Sequence, residues 1–127
     1  MVSSEVFAKY HNPVFIETGS YLGEGIDKAI MAGFKQIYSI ELSEAYYKHC
    51  QTRFSDRQDV CIFNGDSCKV LKELLEKINS PVTFWLDAHY SGEDTAIGES
   101  VTPLLKELEI IKAHKIKTHT ILIDDVS

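Results

Sequence analysis

Five short apolar runs recur along the chain, separated by segments in which apolar positions return every three or four residues. "PVFIET" (13–18), "KQIYSIE" (35–41), "DVCIFNGD" (59–66), "PVTFWLDAH" (81–89) and "THTILIDDV" (118–126) are the strand candidates. Four of the five are continuously apolar at their centres, the pattern of strands buried on both faces. Between them, "GEGIDKAIMAGF" (23–34), "SEAYYKHCQTRF" (43–54), "SCKVLKELLEKI" (67–78) and "ESVTPLLKELEIIKAH" (99–114) read as helices. In the third of these, Val70, Leu71, Leu74, Leu75 and Ile78 form one apolar stripe beneath a charged face. Pro103 suits the first turn of the fourth, where its missing N–H costs nothing, with Thr102 or Ser100 as the cap. Strict β-α alternation with short connections predicts an α/β fold, a doubly wound parallel sheet with helices on both faces, spanning residues 1–127 as a single domain.

Composition narrows the picture. A chain of 127 residues, 44% hydrophobic and 25% charged, can bury one real core and is too short for two. Its net charge of −6 and thirteen dispersed basic residues argue against a nucleic-acid partner, because affinity for the phosphate backbone needs clustered Lys and Arg. No apolar stretch reaches the roughly 20 residues of a membrane span, and "MVSSEVFAKYHNP" has neither the basic start nor the apolar centre of a signal peptide. The expectation is therefore a cytoplasmic protein with no nucleic-acid or membrane partner. Cys50, Cys61 and Cys68 are odd in number and lack CxxC spacing, so neither a disulfide framework nor a zinc site is indicated, and all three are expected to be small buried residues.

The chemistry gathers at the strand ends. In an open parallel sheet, ligands bind outside the carboxyl ends of the strands, where the strand order reverses. Glu17 closes the first strand, Gly19 allows a tight turn, and Gly23 and Gly25 open the next helix, whose free N–H groups face the crevice. The spacing is not the dinucleotide fingerprint, since Tyr21 and Glu24 stand where that motif needs glycine. Glu17 and Glu24 would repel a pyrophosphate and suit a cationic or weakly charged ligand. Glu41 ends the second strand, 22 residues after Gly19, about where an acid bonds ribose hydroxyls. "NGDS" brings Asp66 and Ser67 to the third strand end, Asp87 and His89 close the fourth, and Asp124 and Asp125 the fifth. Each acid alone has an ordinary alternative as a turn or helix cap. Their joint placement is the informative fact.

With these motifs the chain resembles the class I S-adenosylmethionine-dependent methyltransferases nearly end to end. "FIETGSYLGEG" looks like the family's first motif, which wraps the methionine part of the cofactor and involves Glu17, Gly19, Ser20 and Gly23. "SIELS" looks like the second-strand acid, implying Glu41 on the ribose, and "NGDS" resembles the motif whose Asp contacts adenine, implying Asp66 with Ser67. One departure is Tyr21, where the common form has a further glycine. "FWLDAHYSG" followed by "ILIDDV" resembles the cation-dependent O-methyltransferases, including their macrocin-like branch. That resemblance implies a Rossmann-like domain, Asp87 at both cofactor and acceptor, and Asp87, Asp124 and Asp125 as ligands of Mg2+ or another divalent cation.

Such a site places a small-molecule acceptor, expected to carry a hydroxyl, in line with the sulfonium methyl of S-adenosylmethionine. His89, with an ordinary pKa near 6.5, is the candidate general base beside Asp87. "HYSGEDTAIGES" (89–100) reads as a substrate loop or an ordinary connection, and Tyr90, Tyr46 and Tyr47 as stacking residues or packing. Trp85 is expected in the core. The family's sheet has seven strands, so strands six and seven are expected to be lacking here. That leaves the fifth strand as an apolar edge covered by more chain or by a second copy in a homo-oligomer, or simply exposed in a short protein. Two functional classes follow: a methyltransferase, or a catalytically silent cofactor-binding module or subunit.

Overall fold

A computed structural model of the chain describes residues 3–87 and 103–124. Its elements follow in the order α1 (Ser4–Lys9), β1 (Val14–Thr18), α2 (Glu24–Ala32), β2 (Gln36–Glu41), α3 (Glu44–Arg53), β3 (Val60–Asn64), α4 (Ser67–Lys77), β4 (Val82–Asp87), α5 (Pro103–Lys112) and β5 (Thr120–Asp124). The five strands make one sheet in the order β3-β2-β1-β4-β5, and every pairing is parallel. The expected α/β architecture and all five expected strands are present, with described ends drawn in by at most two residues; residues 88–89 and 125–126 of the expected spans lie outside the described residues.

The two-faced arrangement follows from crossover handedness. From β1 to β3 the chain steps one way across the sheet, and right-handed crossovers put α2 and α3 on one face. It then passes back over β2 and β1 to reach β4 and β5, and the same handedness puts α4 and α5 on the other face. Two cores result. Phe7, Phe15, Ile26, Ala29, Phe34, Ile37, Cys50, Phe54, Ile62 and Trp85 pack under α1, α2 and α3. Ile16, Ile40, Leu71, Leu75, Ile78, Val82, Phe84, Leu86 and Ile111 pack under α4 and α5. Alternate residues of β1 serve opposite cores, Phe15 one and Ile16 the other, as the period of a strand requires. The α4 stripe behaves as its spacing predicts: Leu71, Leu75 and Ile78 are buried, with Val70 and Leu74 packed beside them.

Helix α1 was not legible from periodicity, because six residues are too few to show it. Its signal was local: Ser3 caps it by accepting from Val6 N–H, and Phe7 is its one buried side chain. That ring is fully buried against Phe15 at 4.9 Å, Trp85 at 5.4 Å and Phe34 at 6.4 Å between centroids. Tertiary packing, worth about 2 kcal/mol for a buried phenyl ring, holds a helix this short where propensity alone would not. Pro103 is the first residue of α5, as expected; Ser100 and Thr102 lie outside the described residues. Trp85 is 8% exposed, as expected of a core residue. The cysteines are a partial correction: Cys50 is buried, whereas Cys61 and Cys68 are half-buried. Among the described residues, no helix is long and apolar enough to cross a membrane.

Candidate functional site

The strand order reverses between β1 and β4. The chain leaving β1 turns to the α2 face and the chain leaving β4 heads for the α5 face, so a crevice opens between them. A cavity of about 230 Å³ lies there, lined by Thr18, Gly19, Ser20, Tyr21, Leu22, Glu24, Gly25, Trp85 and Asp87.

Its floor is a turn braced from β2. Gly19 has φ +89° and donates its N–H to Ile40 O at 2.7 Å. Tyr21 is also left-handed, at φ +50°, the conformation for which a glycine would be the easy choice. Two contacts hold it there. Its N–H donates to Glu41 Oε1 at 2.9 Å, and its phenol donates to Asp87 Oδ2 at 2.5 Å. Burial raises the phenol's pKa, and the Asp87 acceptor and its charge raise it further, so Tyr21 stays a proton donor. The ring meets Tyr46 edge-on at 5.6 Å. Ser20 and Ser39 share a hydroxyl hydrogen bond of 2.5 Å beneath the turn.

Glu17 is the anomaly. It is fully buried, and neither carboxyl oxygen has a hydrogen-bond partner. Burial pushes its pKa well above 4.5; the adjacent Ser39 hydroxyl, engaged by Ser20, opposes the shift, and the charges of Glu41 and Asp87 add to it. Gly25 lies directly over this carboxyl. A Cβ built there would come within 2.4 Å of the Trp85 ring and 2.7 Å of Glu17 Oε2, so only glycine fits between the cavity and the acid.

The other expected residues divide by location. Gly19, Ser20 and Asp87 line the cavity, Glu17 sits behind Gly25, and Gly23 caps α2 outside the lining. Glu41 is buried outside the cavity lining and uses one oxygen on Tyr21 N–H and the other on Ser43 N–H, both at 2.9 Å, so it serves as a brace for the turn. Asp66 is exposed and caps α4, accepting from Lys69 N–H at 3.0 Å, which is the ordinary alternative already given for it. Ser67 donates its hydroxyl to Glu107 Oε2. Asp87 and Asp124 are register partners at the carboxyl ends of β4 and β5. His89, Tyr90, Asp125 and the 89–100 loop lie outside the described residues. Among the described residues, no three His, Cys, Asp or Glu side chains gather as a metal site.

Three residues escaped the sequence reading wholly or in part. Trp85 lines the cavity as well as the core, and Gly25 was visible only as a helix-opening glycine. Glu107 gave no signal at all, because a single Glu in "LLKELEIIK" looks like a solvated helix position. It is 3% exposed, its Oε1 has no partner, and burial pushes its pKa up to about 7, with the Ser67 hydroxyl opposing and the charges of Asp87 and Asp66 assisting.

No protein-family model matches the chain, and none of the curated proteins matches it. Solved structures do. A methyltransferase of Podospora anserina, PaMTH1, solved with S-adenosylhomocysteine, superposes with a TM-score of 0.73 at 16% identity, over 95% of this chain and 49% of its own. The O-methyltransferase TomG of Streptomyces achromogenes, involved in tomaymycin synthesis and solved with S-adenosylmethionine, gives a TM-score of 0.58 at 13% identity, over 65% of this chain and 40% of its own. The fold is that of the Rossmann-like methyltransferases. The chain spans less than half the length of these two structures. Within this methyltransferase fold, the cavity occupies the crevice at the strand-order reversal, bounded by the β1 turn on one side and Asp87 on the other.

Proposed function

We propose that the chain binds S-adenosylmethionine in this crevice and directs its methyl group to a small-molecule acceptor, with a hydroxyl as the receiving atom. One observation carries the reading. Glu17 is a fully buried carboxyl without a partner, one glycine away from a cavity whose size suits the amino-acid part of a ligand rather than a whole nucleoside. A buried carboxyl keeps so unfavourable a position when a ligand cation completes it. The methionine ammonium is such a cation, and the acidic lining contributed by Glu24 and Asp87 favours the sulfonium in the same way.

The cofactor supplies an activated methyl group, so the protein's part is positioning. The Gly19 turn shapes the floor, Tyr21 in the turn after β1 and Asp87 at the end of the neighbouring β4 close the cavity, and Glu41, which braces that turn, is the acid we assign to the ribose. His89, two residues beyond Asp87, is the base we assign to the acceptor hydroxyl. Calorimetry with S-adenosylmethionine and S-adenosylhomocysteine tests the reading: micromolar binding, weakened about 100-fold in Glu17→Gln by loss of a charge-assisted contact, is expected. Absence of binding by either compound sinks it.

A divalent cation is supported by one observation, the register pairing of Asp87 with Asp124, to which Asp125 is adjacent in sequence. Bound there, Mg2+ would lower the pKa of an acceptor hydroxyl and orient it. A magnesium-dependent thermal shift that survives in both Asp87→Ala and Asp124→Ala would remove those residues from the role. The silent-module reading draws on the short span of the chain against its structural neighbours. Cofactor binding without transfer to any acceptor would favour it.

A further inference from the structure

A side chain bridges the two sides of the crevice. Tyr21 rises from the turn after β1 and donates its phenol to Asp87 Oδ2, at the end of β4, across 2.5 Å, and both residues line the cavity. Together they form a bar. With the bar in place the cavity measures about 230 Å³, below the roughly 300–1,000 Å³ of pockets that hold drug-sized ligands. An adenosyl amino acid enters only when the bar moves. The backbone at Tyr21 does not supply that movement: its N–H is held by Glu41 Oε1 at 2.9 Å, its carbonyl accepts from the Cys50 thiol at 3.2 Å, and Arg53 donates to the next carbonyl, Leu22 O, at 2.6 Å. The ring is freer. Tyr21 is 43% exposed and meets Tyr46 edge-on, so rotating its side chain outward gives up one hydrogen bond and one edge contact while burying little less apolar surface. The shut position also depends on Gly19, where a Cβ would come within 2.9 Å of Tyr21 Cε2 and 3.2 Å of Asp87 Oδ2. A pinned backbone under a mobile ring puts the hinge at the side-chain torsions.

We propose that Tyr21 is a gate on the cofactor crevice, shut in the ligand-free protein by its bond to Asp87 and swung outward when the adenosyl ligand enters. This rests on the cofactor reading above and gives it an energetic consequence. The Tyr21–Asp87 bond belongs to the ligand-free state alone, so it opposes binding: the apparent affinity is the intrinsic affinity reduced to the fraction of molecules whose gate is open. Side-chain rotation at an exposed residue is fast compared with ligand encounter, so the gate lowers the association rate constant by that same fraction and leaves dissociation alone. A residue that held the ligand would show the opposite signs.

The test measures S-adenosylhomocysteine binding by calorimetry and stopped flow, with a chelator present so that no cation competes for Asp87. It compares the wild-type chain with Tyr21→Phe, which keeps the ring but cannot make the bond, and with Tyr21→Gly, which removes the ring and suits the left-handed backbone. Both variants are expected to bind about tenfold more tightly, the worth of a hydrogen bond to a carboxylate, with the gain in the association rate constant and dissociation within about twofold of wild type. Thermal melts confirm that each variant is folded; Tyr21→Phe should melt at a lower temperature, so that stability and affinity move in opposite directions. Binding by the variants but not by the wild type would be the same result at its extreme. If Tyr21→Phe binds no more tightly than wild type, or dissociates faster by more than that margin, Tyr21 is a turn brace or a cover on the bound ligand, and the proposal is overturned while cofactor binding stands. If neither the wild type nor either variant binds, the cofactor reading fails and takes this inference with it.

Discussion

The two ends of the sheet treat buried polar groups in opposite ways. At the amino end every buried side-chain polar atom among the described residues is paired. Val82 N–H donates to His119 Nδ1 at 2.9 Å, His119 Nε2 lies 2.9 Å from His114 Nδ1, and His114 Nε2 lies 2.8 Å from Ile78 O. Because a backbone N–H can only donate and a carbonyl can only accept, this chain fixes both tautomers: His119 carries its proton on Nε2 and so does His114, and both rings are neutral. Beside them Thr83 donates to Tyr10 O and accepts from Asn12. At the carboxyl end, Glu17 and Glu107 are buried with open oxygens, and Tyr21 is held left-handed. One end closes the fold; the other stores unfavourable contacts that a ligand can relieve.

The contrast is broken most severely at Glu17. Replacing it with Met should raise stability by about 1–3 kcal/mol, because an apolar group of similar volume replaces an unpaired carboxyl. The same change should cost about 100-fold or more in affinity for S-adenosylhomocysteine. Urea denaturation and calorimetry on one variant read both signs; a loss in stability together with unchanged binding would show that Glu17 is a structural residue. Gly25→Ala comes next. Its methyl would collide with Trp85 and Glu17, and overpacking of about 1–3 kcal/mol together with weaker binding is expected, since both walls of the clash belong to the site.

At the other end, His119→Ala should cost about 2 kcal/mol by stranding the Val82 N–H, with cofactor affinity unchanged. The two ends should also answer pH oppositely. Burial, then His114, then Lys117 hold the pKa of His119 below 6.5, so its contribution is full above pH 6.5 and is lost as the pH falls. The pKa of Glu107 is raised from 4.5 to about 7, so its contribution is full below pH 4.5 and is lost as the pH rises toward 7. Stability measured from pH 4 to 8 should therefore lose its acid limb in His119→Ala and flatten between pH 4.5 and 7 in Glu107→Gln; identical curves for both variants would contradict the assignment. The smallest effect is expected at Tyr21→Phe, which removes the Asp87 hydrogen bond but keeps the ring on Tyr46, for a loss of about 1 kcal/mol.

Most of the site's acids could be read before any coordinates because they close apolar runs, and a strand end in a parallel sheet is a position with a meaning. Glu17, Glu41 and Asp87 are all where that rule puts them. Asp66 is two residues past β3 and acts as a cap, a role that a strand boundary drawn only from apolar residues could not separate from ligand binding. Tyr21 was visible as a departure from a glycine motif, but its bond to Asp87 spans 66 positions and no local pattern encodes it. Glu107 was invisible, because its burial depends on α5 packing against α4.

By itself the sequence determined the α/β class, the strands and four of the five helices, since these follow from apolar period, caps and glycine turns within a few residues of each other. The tertiary structure alone decided that the strand order reverses at β1 and β4, that Glu17 and Glu107 lose their water, and that two histidines lock one another's tautomers. Desolvation and hydrogen-bond pairing across tens of residues are properties of the packed chain. No short window of residues contains them.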